Sequence, residues 1–366
     1  MNYKEILFFV GKCLTISLED KNKKLIRKKL QSSTIDWDNV VKVSTAHYVF
    51  PALYCNFKRA GFLKYLPVDL VEYMKYITDL NRDRNTKIIQ QAKELNKLLL
   101  ANNITPIFLK GTGNLLAGIY DDVAERMIGD IDFIISREDF VKSIKVLKEY
   151  GYYKRVPFEL LTRHYPGLIK KDSIAAVEIH KDLLLQKYQS EFNYSFVEKD
   201  NQVINGITVL SYANKLNLSI ISNQINDHGF YYKSIALRNA YDVFVLSKKT
   251  NAKDAVNTLN KLSNPLNCFL VACNEVFNNV DSLNFKKNKK IDLYLKDFNS
   301  QFINPIPRKE IEQFNIYVFI RIRLIIIIKS MIYKEYRVWL LNLLTDKDWY
   351  KRKLIKLRKN LNYSLI

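Results

Sequence analysis

The chain has 366 residues, 48% of them hydrophobic and 13% aromatic, which excludes a disordered protein and leaves room for two or three packed units. Its 58 Lys and Arg against 37 Asp and Glu give a net charge of +21, which favours polyanionic partners or the steering of nucleotides to a site. Cys13, Cys55, Cys268 and Cys273 form no CxxC or Cys/His cluster, so no zinc site is expected and four free thiols in a reducing, cytoplasmic setting are.

Residues 1–103 read as helical. The opening apolar run is short, is broken by Lys12 and lacks a small-residue cleavage site, so it does not read as a signal peptide. Asp36 stands where a helix N-cap would, before Trp37, and Pro51 suits the first turn of a helix. After the Leu66-Pro67 break, apolar residues recur at three- and four-residue intervals from Leu70 and Met74 through Ile88, Ala92, Leu95 and Leu99. That spacing predicts one amphipathic helix over 68–100, ended by Asn102-Asn103. His47, in an apolar neighbourhood, reads as a packed histidine.

Residues 104–210 read as an α+β core. A strand over 104–109 runs into the turn Lys110-Gly111-Thr112-Gly113, with a helix expected over 114–120. Glycines there let backbone N–H groups approach a phosphate, Thr112 offers a hydroxyl and Lys110 a point charge. The spacing is not that of a Walker A loop. Asp121 and Asp122 sit in a polar loop and read as solvated. Then comes Gly129-Asp130-Ile131-Asp132-Phe133-Ile134-Ile135. Residues i and i+2 of a strand share a face, so Asp130 and Asp132 project side by side from an otherwise apolar strand. Two neighbouring carboxylates raise each other's pKa and destabilise a sheet unless a cation joins them, and oxygen donors suit Mg2+ or Mn2+. An amphipathic helix is expected over 138–150, stopped by Gly151. Strands follow from Tyr152, over 164–170 and over 174–181, the last with Glu178 and His180 on one face.

Residues 211–366 read as helical again, without a second phosphate turn. Helices are expected over 216–225 and 234–246, and the i, i+4 spacing of Arg238 and Asp242 suggests an intrahelical ion pair. The apolar run 316–328 contains Arg321 and Arg323, and is too short and too charged to span a bilayer. From Asp281 onward there are 19 Lys and Arg against 8 Asp and Glu. Clusters such as Lys286-Lys287 and Lys351-Arg352-Lys353 interleave with Tyr333, Tyr336, Trp339, Trp349 and Tyr350, a composition suited to RNA or to anionic lipid headgroups, and equally to a basic outer helix face.

The glycine turn followed by Asp-Ile-Asp resembles the signature of the DNA polymerase beta-like nucleotidyltransferase superfamily. The wording LKGTGNLL…Y…R…GDIDFII, with the later Val177-Glu178-Ile179-His180, is similar to its bacterial branch of uncharacterised nucleotidyltransferases, called nucleotidyltransferase family 5. The one departure is Thr112, where a serine or small residue is usual. The resemblance implies a small mixed sheet with flanking helices (residues 104–210), bracketed by helical regions (1–103 and 211–366). It implies a metal-dependent enzyme that moves a nucleoside monophosphate from an NTP, such as ATP, to an acceptor hydroxyl and releases pyrophosphate. Asp130 and Asp132 are then expected to bind two Mg2+ or Mn2+ ions. Glu178 is the expected third carboxylate, holding the nucleophile-side ion and serving as a base. Lys110, Gly111, Thr112 and Arg126 are the expected nucleotide contacts, and His180, His228, Arg238 and Asp242 are candidates for contact with nucleotide or acceptor. The acceptor is left open between a protein, a small molecule and RNA, with the basic C-terminal region favouring RNA, one form being a tRNA-modifying toxin. The alternative is a nucleotide- or RNA-binding protein without catalysis.

Overall fold

The structure is a computed structural model that describes residues 1–32, 34–154, 163–184 and 186–345. The described residues up to 303 make one compact unit, and those over 304–345 belong to a second.

Helices come first, as the apolar spacing requires. They are α1 (Tyr3–Cys13), α2 (Asp20–Ser32), α3 (Trp37–Ala46), α4 (Phe50–Ala60) and α5 (Val68–Leu100). Asp36 caps α3 by accepting from the Asn39 amide at 3.2 Å, and Pro51 sits in the first turn of α4. At 33 residues α5 is about 50 Å long. Its inner face buries Met74, Ile88, Ala92, Leu95 and Leu99, and also four amides. Asn81 donates to the Ala124 carbonyl, Asn85 to those of Val123 and Arg126, Gln91 to that of Ala175 and Asn96 to that of Gly206. The four buried amides thereby meet the backbone of three separate segments, which the helix could not do with apolar side chains.

The sheet is built from β1 (Ile107–Phe108), β2 (Asp130–Ile134), β3 (Tyr153–Lys154), β4 (Leu168–Ile169), β5 (Ala176–His180), β6 (Asn201–Ile204) and β7 (Ile207–Leu210). The spatial order is β3-β4-β5-β2-β1-β7-β6. The β2–β5 and β1–β7 pairs are parallel and the rest antiparallel, so the sheet is mixed. Between strands lie α6 (Lys110–Leu116), α7 (Phe140–Glu149) and α8 (Tyr194–Glu198). Phe108, Ile131, Phe133, Val177, Ile179 and Val209 share one core with α5 and α7. The opposite face is apolar at Ile107, Ile134 and Leu210, and ionic where β2 meets β5.

Two expectations about local structure shift. The first strand pairs only at Ile107 and Phe108, because the Leu109 amide closes the ladder on the Asp132 carbonyl at 2.9 Å. The helix then starts at Lys110 rather than at 114, with the Gly113 amide donating to the Leu109 carbonyl at 2.8 Å. The hairpin of β6 and β7 is not among the elements expected from the sequence. Its signal is nevertheless present: Asn205 and Gly206, at φ 51° and 75°, form the two-residue turn that Asn-Gly favours.

The helices that follow are α9 (Tyr212–Ile221), α10 (Gly229–Tyr232), α11 (Leu237–Ser247), α12 (Ala252–Asn257), α13 (Ser263–Val276) and α14 (Lys289–Ser300). Helix α9 runs into a single π-helical turn, Ser222–Asn226, and α10 is flanked by the left-handed residues His228 and Lys233. The second unit holds α15 (Arg308–Ile332) and α16 (Lys334–Thr345). Among the described residues, no helix is long and apolar enough to cross a membrane. Tyr336 and Trp339 lie on α16 and Tyr333 just before it, whereas Trp349, Tyr350 and Lys351-Arg352-Lys353 fall outside the described residues.

Candidate active site

The parallel pairing of β2 with β5 sets the site. Asp132 is registered with Glu178, Asp130 with Ala176 and Ile134 with His180. In-register partners on parallel strands point the same way, so Asp132, Glu178 and His180 converge on one face. Each offers a donor atom within 4.8 Å of the other two. Asp130 lies on that face too, at the exposed start of β2 and outside the group of three.

The Lys110 ammonium stands among these groups, 2.6 Å from Asp132 Oδ1, 3.4 Å from His180 Nε2 and 3.9 Å from Glu178 Oε2. Lys110 adopts φ 49°, a left-handed conformation that residues with a Cβ rarely take. Such strain persists where surroundings dictate it, and here the strand-to-helix turn and the carboxylates do so. His180, buried, donates from Nε2 to Asp132 Oδ1 at 2.8 Å, while its Nδ1 has no partner.

The charges are unevenly balanced. Burial raises the Glu178 carboxyl to about 8, helped by the Asp132 charge beside it. Asp130 is raised for the same two reasons. For Asp132 burial also pushes upward, but the Lys110 ammonium and the His180 hydrogen bond outweigh it and hold the carboxyl well below the usual range. Burial takes His180 down to about 4, so the ring is neutral near pH 7 and Lys110 supplies the positive charge.

The glycines of the turn serve packing. A Cβ on Gly111 would lie 2.3 Å from Ile128 Cγ2, and one on Gly113 would lie 2.5 Å from the Phe108 carbonyl oxygen. The buried Thr112 hydroxyl donates to the Asp130 carbonyl at 2.9 Å, which ties the turn to β2. The amides of Gly111 and Thr112 lie in the first helical turn, where no intrahelical acceptor exists.

The remaining candidates lie apart from this cluster. Arg126 is buried and donates from Nε to both oxygens of Asp242, at 2.9 and 3.0 Å, and from Nη1 to the Met127 carbonyl at 2.7 Å. Tyr120 donates to the same carboxylate at 2.5 Å. The expected pair of Arg238 with Asp242 does not form, because Asp242 is turned toward Arg126. Arg238 instead places its guanidinium 5.0 Å from the Tyr48 ring centre, with Nε buried and without a hydrogen-bond partner. The loop at Asp121 and Asp122 is only half solvated, as Asp122 takes two bonds from Arg82 at 2.7 and 3.0 Å. Its neighbour Glu125 is buried between the guanidinium of Arg59 and the hydroxyl of Tyr241. His228, half-buried at a left-handed position, follows the π-helical turn.

Two residues of the cluster were not expected. His164 bridges to His180 across the strand edge and brings Nε2 to 3.7 Å from Glu178 Oε2, while its Nδ1 donates to the Tyr165 carbonyl at 3.0 Å. Arg163, lowered by burial and opposed by the charges of Asp227, Glu178 and Asp132, precedes it. Nothing in the run His164-Tyr165-Pro166-Gly167 marks these residues; only the sheet brings them to Glu178.

The cluster fits a divalent cation. Its donors are fixed on two hydrogen-bonded strands, and they already surround a positive charge, that of Lys110. A cation there would let Asp132 and Glu178 ionise together, which burial otherwise prevents. No curated protein and no solved structure matches the chain. A family model does match, over residues 33–276, a span that holds the glycine turn, β2, β5 and α11: the chain belongs to the family of uncharacterised nucleotidyltransferases.

Proposed function

From that membership, we propose that the protein transfers a nucleoside monophosphate from an NTP to an acceptor hydroxyl, with release of pyrophosphate. The observation that carries the reading is the pairing of Asp132 with Glu178 across β2 and β5, with Lys110 between them. Asp130, Asp132 and Glu178 are the proposed ligands for Mg2+ or Mn2+. Such ions supply charge neutralisation on the phosphates and activation of the attacking hydroxyl.

The protein's own part is positional. Phosphoryl transfer asks for alignment and electrostatic stabilisation more than covalent chemistry. Lys110, released from Asp132 when other cations neutralise it, is the group that would meet charge developing on the phosphates. The free amides of Gly111 and Thr112 supply further donors at the same turn. Glu178, beside the proposed ion, is suited to take the proton of the acceptor hydroxyl. Arg126 and Asp242 bind each other and are buried, so their part is to hold the segment leading into β2. Arg238 and Arg163 are half-buried cations and suit an anionic substrate. The basic composition beyond Asp281 favours RNA as the acceptor.

A labelling reaction tests this. Protein is mixed with each α-32P-labelled NTP, Mg2+ or Mn2+, and total RNA, cell protein or a metabolite extract. Label entering one fraction, and lost in the Asp130→Ala/Asp132→Ala protein, supports transfer and identifies the acceptor class. Folded protein that labels nothing with any nucleotide overturns it in favour of nucleotide or RNA binding without chemistry.

A further inference from the structure

Three donors meet at the cation position, and one of them is nitrogen. His180 is only 1% exposed, and its Nε2 lies 2.8 Å from Asp132 Oδ1 and 3.8 Å from Glu178 Oε2. Its Nδ1 is buried without a partner. The proton on Nε2 is thus not pinned there by a bond at the far side of the ring, and it can move to Nδ1 with no change of charge. That leaves an Nε2 lone pair aimed at the position the Lys110 ammonium now holds, 3.4 Å away.

His164 offers an independent pointer. Its Nδ1–H is committed to the Tyr165 carbonyl, so in the neutral ring Nε2 can only accept, and it faces a carboxylate oxygen of Glu178 at 3.7 Å. A carbonyl bond on the distal nitrogen is how proteins orient imidazoles toward metals.

We propose that His180 is a metal ligand, together with Asp132 and Glu178, and that this mixed nitrogen–oxygen site selects a first-row transition ion such as Mn2+ over Mg2+. Imidazole binds transition ions in preference to Mg2+, which favours oxygen donors and gives up its water reluctantly. The inference rests on the reading of Asp132 and Glu178 as cation ligands, and it can fail without that reading failing.

The experiment uses Mn2+ alone, without nucleotide. Pulsed electron paramagnetic resonance of the Mn2+-loaded full chain is expected to show coupling to a directly bound 14N, absent in His180→Gln. Isothermal titration with Mn2+ and with Mg2+ is expected to give a preference for Mn2+ that falls by about tenfold or more in His180→Gln, with Mg2+ affinity little changed. Bound Mn2+ without nitrogen coupling overturns the proposal and leaves an oxygen-only site, consistent with the transferase reading. Coupling that persists in His180→Gln also overturns it, since the nitrogen then comes from elsewhere. Mn2+ binding that is undetectable, or untouched by Asp132→Asn, overturns both the proposal and the cation-ligand reading. If His180→Gln does not fold, His164→Gln decides: coupling kept there supports His180 as the nitrogen donor, and coupling lost there overturns the proposal.

Discussion

Two groups of buried charges, one around the segment that leads into β2 and one on β2 and β5, differ in how they are satisfied. Around Arg126, Asp242 and Tyr120, and around Glu125, Arg59 and Tyr241, each ionised group has a partner at hydrogen-bond distance. Around Asp132, Glu178 and His180, one lysine serves three groups, a carboxyl is raised to about 8 and a ring nitrogen has no partner. Both combine carboxylates with basic side chains. The first arrangement holds a loop in place. The second is incomplete until something else arrives, and incompleteness of this kind is what marks a site for ligand and chemistry.

Mutations can break that contrast at either end. The largest effect expected is on transfer: Asp132→Asn should lower the labelling rate by about a thousandfold, in line with removal of one preorganised electrostatic group. It should leave the protein folded by circular dichroism. Arg126→Ala should do the opposite, leaving Asp242 buried and unpaired, and cost about 3–5 kcal/mol in urea denaturation. Replacing both members by apolar residues of similar size, Arg126→Met with Asp242→Leu, should recover most of that loss. If the double variant stays folded yet loses transfer, the pair reaches the substrate after all and the contrast fails.

A smaller effect is expected at Gly113, where a Cβ would lie 2.5 Å from the Phe108 carbonyl oxygen. Gly113→Ala should lower stability by about 1–3 kcal/mol through overpacking, read as a drop in Tm. The smallest is a pH dependence. The folded-state pKa of Glu178 is raised from 4.5 to about 8, so the folded protein binds its proton more tightly than the unfolded chain does. The stability from that carboxyl is fully present below 4.5 and is lost as pH rises toward 8. Below about pH 6.5 the histidines lowered by burial, His47 and His180 among them, act in the opposite sense, so in metal-free buffer the unfolding free energy should fall between pH 7 and pH 8, by at most about 1.4 kcal/mol per pH unit. Glu178→Gln should flatten the slope, and a slope unaltered by that change would place the titration elsewhere.

How much of this is legible in the sequence depends on the range of the interaction. The alternation in Asp130-Ile131-Asp132-Phe133 and Val177-Glu178-Ile179-His180 fixes which side chains share a face, because period two is a local property. The 68–100 helix is legible for the same reason. That Asp132 lies beside Glu178 is a matter of register between strands joined by a long crossover, which no local pattern encodes. The partner of Asp242 is 116 residues away, and the nearer Arg238 is the wrong choice. The glycines mislead in a different way. Gly111 and Gly113 do allow close approach, but to Ile128 and Phe108 of the protein itself, and a sequence does not say what approaches. The left-handed backbone of Lys110 is invisible because nothing about lysine announces it.

The long helix α5 has a consequence for how this sheet could be inherited or cut. Its amides fasten the segment before β2, the entry to β5 and the turn of the β6–β7 hairpin, three stretches spread over 83 positions of sequence from Ala124 to Gly206. One rod thus acts as a common jig for strands that would otherwise be set independently. A gene fragment beginning after Leu100 would carry every carboxylate of the cluster without the helix whose amides fasten the loops around them. The acidic strands cannot be moved as a cassette: any fusion, permutation or truncation that keeps the chemistry has to carry the helix with them.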